Sequence, residues 1–258
     1  MKAPLLNIHE LRMQFQGITA LDSVSFNVEQ GSITSVIGPN GAGKTTLFNC
    51  ITGMYRPTSG RVSLGSNDIT AEPAHRIARH GIARTFQNLA LFGGLSVLDN
   101  LMTGAYLRGR SGLLQGAFLT PLARAERRAA EAAARETLAF LGMEELADAA
   151  PAELSYGKQK QVEFARALMQ SARLILLDEP MAGMSKTEKA AMSGLIQRVQ
   201  RERGITFLIV EHDIPVVMDL SDHIVVLDFG RKIAEGLPEA VRQDPAVIAA
   251  YLGSDPHH

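Results

Sequence analysis

Apolar positions along this chain fall into short continuous runs separated by amphipathic stretches. Ser32 to Ile37 is a β-branched apolar run, a glycine loop follows it, and Lys44 to Thr52 then has helical character. The alternation returns toward the carboxyl end. Leu174 to Leu177 reads as a continuous apolar strand, Lys186 to Arg203 as an amphipathic helix and Thr206 to Val210 as a strand; Ile214 to Leu220 follows as a short helix and His223 to Leu227 as another strand. Continuous apolar strands alternating with helices predict a parallel sheet covered on both faces. The amino-terminal segment differs: Leu5 to Phe15 and Val24 to Val28 predict antiparallel strands, with the turn signal Gln16-Gly17 between them. From about Leu89 to Gln170 helix formers replace the strand signal, most plainly in Ala123 to Leu141. This predicts a helical lobe, 89–170, inserted into an α/β unit made of 1–88 and 171–258. Within the lobe, Gly109 to Pro121 carries most of the local glycine together with Leu113, Leu114, Phe118 and Leu119, as a loop or a docking surface.

Composition narrows the class without naming a partner. At 258 residues the chain exceeds a typical single domain, which fits one domain with a large insertion or two closely packed lobes. Hydrophobic residues make up 46% and charged residues 21%, near the globular average. With 26 basic against 27 acidic residues, no overall field favours nucleic acid or an anionic membrane, and no nucleic-acid partner is expected. The single cysteine, Cys50, has no internal disulfide partner and fits a reducing compartment. Met1 to Leu6 is too short and too weakly apolar for a signal peptide, and no window reaches the ~18 apolar residues of a membrane span. Any membrane role is therefore expected to run through a partner. The final His257 and His258 read as a solvated tail.

The chemistry begins at Gly38-Pro39-Asn40-Gly41-Ala42-Gly43-Lys44-Thr45, which matches the phosphate-loop pattern in the context that pattern requires, after a strand and opening a helix. Glycines let backbone amides turn inward around phosphate oxygens, the helix amino-terminus adds its dipole, and Lys44 places a charge at the β and γ phosphates. Gly38, Asn40, Gly41, Gly43, Lys44, Thr45 and Thr46 are thus the expected ATP contacts, with the Thr45 hydroxyl on Mg2+. The other reading, a glycine turn with an incidental lysine, does not account for the strand and helix on either side. Asp178 ends a buried strand, where a carboxylate is costly unless it faces a cation or solvent at the sheet's carboxyl edge; holding Mg2+ through water satisfies it. Glu179, one position on, is the candidate general base for water attacking the γ phosphate. Taken alone, two acids before Pro180 also read as a turn or helix cap.

Phosphate loop, Leu154-Ser155-Tyr156-Gly157-Lys158-Gln159 and Asp178-Glu179, in that order, resemble the nucleotide-binding subunit of ATP-binding cassette (ABC) transporters over nearly the whole chain. The resemblance implies an α/β fold with a P-loop NTPase parallel sheet core, an amino-terminal antiparallel β subdomain and an inserted α-helical subdomain. It implies that Ser155 and Gly157 contact ATP held by a second subunit, although Ser155 is equally an ordinary helix cap. It assigns Gln87, in Arg84-Thr85-Phe86-Gln87-Asn88, to sensing Mg2+ and water. His212 becomes the switch histidine that reaches the γ phosphate, and Phe15 resembles the aromatic that stacks on adenine, with core packing the other reading. Tyr156 and Lys158 depart from the commonest signature, and Ser185 stands where many relatives have aspartate.

Arg84 to Asn88, the long insertion, Ala182-Gly183 and the ending from Asp244-Pro245 through Ala250-Tyr251-Leu252-Gly253 resemble the longer ATPase subunit of high-affinity branched-chain amino acid importers. Urea and short-chain amide importers share these features. The resemblance implies ATP hydrolysis with Mg2+ and a second ATPase protomer, identical or paralogous. Transmembrane permease subunits and, indirectly, a periplasmic binding protein are the further partners, at the cytoplasmic face of the inner membrane. The rival expectations are a lipopolysaccharide-type exporter ATPase and a non-transport ABC ATPase; one phosphate loop and no long charged heptads weigh against the latter.

Overall fold

The computed structural model describes residues 4–85, 90–105 and 121–252. Its strands are β1 (Pro4–Phe15), β2 (Ile18–Glu29), β3 (Ile33–Ile37), β4 (Ser59–Leu64), β5 (Asn67–Asp68), β6 (Ile82–Arg84), β7 (Leu174–Asp178), β8 (Thr206–Val210), β9 (His223–Asp228) and β10 (Arg231–Gly236). The described helices are α1 (Lys44–Ile51), α2 (Ala74–Arg79), α3 (Val97–Ala105), α4 (Pro121–Leu141), α5 (Tyr156–Leu168), α6 (Lys186–Arg203), α7 (Ile214–Leu220), α8 (Pro238–Arg242) and α9 (Pro245–Leu252). One sheet runs β10-β9-β3-β8-β7-β6, parallel throughout except for the antiparallel β10 edge. A second, antiparallel sheet runs β2-β1-β4-β5. Its first hairpin turns through Gln16 and Gly17, both at positive φ, with Phe15 paired to Ile18, the geometry of a two-residue turn that follows strand twist.

The continuous apolar runs are explained by what lies on either side of them. Every residue of β3, β7 and β8 is buried, and successive side chains of a strand point to opposite faces. In β7, Ile175 and Leu177 join the core shared with α3, α4 and α5, through Leu101, Leu138 and Phe164. Leu174 and Leu176 join the opposite core with Leu47 and Phe48 of α1 and Leu6, Ile8 and Val24 of the antiparallel sheet. A polar residue at any of these positions would sit against apolar packing on one face or the other. Thus Leu174 to Leu177 is apolar without interruption, up to Asp178 at the strand's end.

Between β6 and β7 every described element is helical. Gln87 and most of the glycine-rich Gly109 to Pro121 segment lie outside the described residues; Pro121 itself opens α4. Among the described residues no helix is long and apolar enough to cross a membrane. Strands β4, β5, β6 and β10 carry no clear apolar signature. β6 and β10 are the two edges of the parallel sheet, β5 is a two-residue edge of the other, and no residue of β10 is buried. β5 and β10 bury little and so are patterned less, whereas β6 buries Ile82 and Ala83 but is too short, at three residues, to show a period.

Local chemistry sets the helix ends. Ser185 caps α6 by accepting from the Glu188 amide (3.3 Å), and the Glu188 side chain accepts from the Ser185 amide (3.0 Å). This reciprocal box satisfies two amides that a helix start leaves orphaned. Gly204 at φ 62° closes the helix. Asp213 caps α7, accepting from the Val216 amide (3.3 Å). Cys50, on α1, is buried, and that burial pushes its thiol up to about 11.

Gly38 is the tightest point in the parallel sheet's connection to its loop. At φ 149°, a Cβ built on it would lie 2.0 Å from the Leu227 carbonyl oxygen in β9. Gly38→Ala is expected to lower stability by about 2–3 kcal/mol, since both the backbone conformation and the close approach resist a side chain. Gly194, exposed inside α6, provides the opposite case, because a Cβ there would meet nothing within 4 Å. Gly194→Ala should stabilise by about 0.5–1 kcal/mol. Thermal or urea unfolding of the two variants distinguishes a steric requirement from a helix-propensity effect.

Candidate functional site

Strands β3, β7 and β8 run side by side in the same direction, so their carboxyl ends meet at one edge. The phosphate loop leaves β3, Asp178 and Glu179 close β7, and Glu211-His212 follows β8. A cleft of about 220 Å³ at this edge is lined by Ala20, Asn40 to Thr46, Glu179 and His212. Asn40, Gly41, Gly43, Lys44, Thr45, Thr46, Glu179 and His212 therefore come together as the sequence predicts. A larger hollow of about 370 Å³ lies between α4 and the end of α5, among Ala129, Ala130, Ala133, Thr137 and Met169. It brings together no such set of charged and phosphate-directed groups, and volume does not locate the chemistry here.

Lys44 is buried, and its Nζ donates to the Gly38 and Pro39 carbonyls at 2.7 and 2.8 Å. The loop's own oxygens thus hold the ammonium above the start of α1. Burial lowers its pKa, while Glu179 and then Asp178 oppose that shift by favouring the charged form. Thr45 is exposed at the same helix start.

Asp178 is almost fully buried, and its partner is Arg84. Arg84 Nη2 donates to Asp178 Oδ2 at 2.7 Å, while Nη1 donates to Asn49 Oδ1 at 2.7 Å and to Thr52 Oγ1 at 3.3 Å. The guanidinium also lies 5.6 Å from the Phe48 ring centroid. Sequence reasoning satisfied Asp178 through magnesium alone. A protein cation in fact holds one carboxylate oxygen, and this fixes the group's orientation. Arg84 was legible only as part of the Arg84 to Asn88 stretch; its role depends on β6 lying beside β7, with Arg84 opposite Leu176.

Glu179 adopts a left-handed conformation, φ 48°, which costs a residue other than glycine about 1–2 kcal/mol. Its amide still donates to the Val210 carbonyl at 2.9 Å, so the chain turns immediately after pairing with β8. The turn brings the Glu179 side chain to His212, whose Nε2 lies 2.7 Å from Glu179 Oε1. The carboxylate accepts, so Nε2 carries the hydrogen.

Phe15 does not line the cleft. It is 37% exposed at the end of β1 and meets Tyr55 edge to face, with centroids 5.2 Å apart, so it is not a core residue. Ser155 and Gly157 also lie outside the cleft lining. Ser155 is the cap of α5, accepting from the Lys158 amide at 3.3 Å. Both residues also meet a carboxylate that the sequence did not point to. The Ser155 hydroxyl is 3.5 Å from Glu188 Oε1, and the Gly157 amide donates to Glu188. The backbone amide and hydroxyl of Ser185 are the main cause holding the Glu188 carboxyl below its usual range, and Gly157 and Ser155 add to them. A Cβ on Gly157 would fall 2.3 Å from Glu188 Oε1, so only glycine admits this approach. The Tyr156 ring covers Gly183, where a Cβ would lie 3.2 Å from its Cε1. The departure at Tyr156 therefore ties the signature to the loop after Glu179. Lys158 is half-buried, and nothing in the structure explains its side chain.

Comparison with known proteins agrees with this geometry. The sequence pattern of the ABC transporter family matches residues 21–182, and that of the branched-chain amino acid ATP-binding cassette transporters matches residues 231–257. The chain is 42% identical to the high-affinity branched-chain amino acid transport ATP-binding protein BraF of Pseudomonas aeruginosa, over 98% of this chain and 99% of that protein. It is 39% identical to LivG of Escherichia coli K12, likewise a high-affinity branched-chain amino acid transport ATP-binding protein, with the same coverage of each chain. Among solved structures, the ADP conformation of an ATP-binding cassette of an ABC transporter superposes with a TM-score of 0.85 at 35% identity, covering 98% of this chain and all of that one. A dimeric bacterial ABC transporter cassette gives 0.74 at 25% identity, over 90% and 98% respectively. The fold, the cleft and these matches have one reading: the chain belongs to the ATP-binding cassette family and is one of its transporter ATPases.

Proposed function

We propose that this ATPase powers an importer of branched-chain amino acids, and that Lys44, Thr45, Asp178, Glu179 and His212 carry its hydrolytic cycle. The observation that carries the chemistry is the convergence of Lys44, Thr45, Glu179 and His212 on one cleft. Similarity to BraF and LivG across nearly their full lengths supports the cargo.

In this reading the amides of the phosphate loop and the amino-terminus of α1 cradle the phosphates, and Lys44 exchanges its two loop carbonyls for phosphate oxygens. Phe15 and Tyr55 offer an exposed aromatic pair to the adenine. The oxygen donors Thr45 and Asp178, the latter through water, suit magnesium, a hard cation that keeps several waters and needs few protein ligands. Held by those donors, magnesium would supply positive charge against the negative charge that develops on the phosphates. Glu179 accepts a proton from water as the water oxygen bonds to the γ phosphorus and the bond to the β-phosphate oxygen breaks. His212 orients the Glu179 carboxylate by hydrogen bond. Gln87 belongs to the same reading as the residue that senses Mg2+ and water.

Ser155 and Gly157 act on ATP held by a second protomer. A hydroxyl and an amide at the start of α5 already meet one carboxylate, Glu188, so this helix end suits anionic oxygens. The α/β unit, 1–88 with 171–258, then holds the chain's own nucleotide, while the helical lobe, 89–170, presents Ser155 and Gly157 to the second protomer's ATP and also faces the permease. The assembly lies at the cytoplasmic face of the membrane, and a periplasmic binding protein acts only through the permease.

Glu179→Gln should retain ATP binding and lower phosphate release by about 10²-fold or more, the lower range for losing a general base. Near-normal turnover in the chain assembled with its membrane subunits removes Glu179 from that role. In cells, the same substitution should abolish high-affinity leucine, isoleucine and valine uptake; unchanged uptake overturns the cargo. Arg84→Ala should cost about 3–5 kcal/mol by stranding a buried carboxylate. Adding Asp178→Asn should recover part of that loss in a denaturation series, since both charges are then gone.

A further inference from the structure

Glu211 is a buried carboxylate that the chemistry above does not use. It lies between the last residue of β8 and His212, and it is 3% exposed. Its Oε1 accepts from the Met181 amide at 2.8 Å, and its Oε2 accepts from the His212 amide at 3.1 Å. The Asp213 amide also donates to it. One carboxylate thus gathers backbone donors from two loops. Met181 belongs to the loop that follows Glu179, whereas His212 and Asp213 begin the loop after β8.

Such a bridge matters because of where it acts. The Glu179–His212 contact joins side chains of two irregular segments. Glu179 stands in a left-handed conformation, and the His212 side chain is 40% exposed, so little local packing holds the imidazole. Main-chain hydrogen bonds to a buried carboxylate fix the His212 backbone relative to the loop after Glu179. A charge-assisted bond to such an acceptor is roughly twice as strong as a neutral one. Desolvation pushes the Glu211 carboxyl up, and the three backbone amides oppose this as the stabilising contacts that make its burial tolerable.

We infer that Glu211 is a positioning residue for ATP hydrolysis: it ties the backbone after Glu179 to that of His212 and so sets the contact between those two side chains. This rests on the reading of Glu179 and His212 given above. A residue that merely satisfied buried amides would affect stability and nucleotide binding together with turnover. One acting through His212 lowers turnover beyond any loss of stability, without a matching loss of nucleotide binding, and only while His212 is present.

The test is a double-substitution cycle on the full-length chain, with steady-state ATP hydrolysis (kcat and KM), nucleotide affinity and thermal midpoint read for each variant. Glu211→Gln keeps size but sets an amide NH2 against at least one of the three backbone N–H groups. It should lower kcat by about 10- to 100-fold, the scale of a misplacement near 1 Å, with KM within about twofold. In a His212→Ala background the same substitution should change kcat by less than about twofold. Unchanged kcat, equal loss in both backgrounds, or KM rising in step with the loss of kcat overturns the inference. Should Glu211→Gln not fold, Glu211→Asp keeps the charge, withdraws it by one methylene, and carries the same expectations and the same refutations. Glu179→Gln and His212→Ala alone separate the two levels. If neither lowers turnover, the underlying assignment fails; if both do and the Glu211 variants do not, only the role of Glu211 fails.

Discussion

Three parallel strands lie side by side, and the direction they share decides what can happen at their ends. Because β3, β7 and β8 all point the same way, the loop that leaves each one opens at the same edge. There the phosphate loop meets Glu179 and His212, both more than a hundred residues further along the chain, in a cleft of about 220 Å³. An antiparallel sheet would have sent alternate ends to opposite sides. The demand for burial on both faces explains the unbroken apolar runs, and the shared direction makes those runs point to a site.

That coupling also explains which parts were legible in the sequence. Lys186–Arg203, Thr206–Val210 and Ile214–Leu220 fall where periodicity placed them, because each has a packed face and a defined start or stop in Ser185, Gly204 and Asp213. The phosphate loop was legible because its glycines answer steric limits that no other residue meets. Strand β10 was not, since none of its residues is buried, and β6 was not, since three residues are too few to show a period. At the site, the residues that make the chemistry were found by motif, whereas those that orient them were not. Arg84 means something only once β6 lies against β7, and Glu188 only once α6 starts beside α5. Local pattern records what a residue can do, but its partner is a property of the fold.

A second theme is how closely the signature segment is bound to the loop after Glu179. Tyr156 covers Gly183, Gly157 gives up a side chain so that Glu188 can approach, and Ser155 meets the same carboxylate. The departure from the commonest signature at Tyr156 is part of this contact. The signature residues are thus packed against the loop after Glu179 and the helix start that follows it.

Cys50 gives the last consequence. It sits on the helix that opens with Lys44, and burial pushes its thiol up to about 11. At neutral pH only about one thiol in ten thousand is then ionised, and it is the thiolate that oxidants and electrophiles attack. Sulfenic acid formation, glutathionylation and alkylation therefore find almost nothing to react with behind the phosphate loop. In the folded chain Cys50 is thus a poor target, and a cysteine introduced on the surface would react in preference to it.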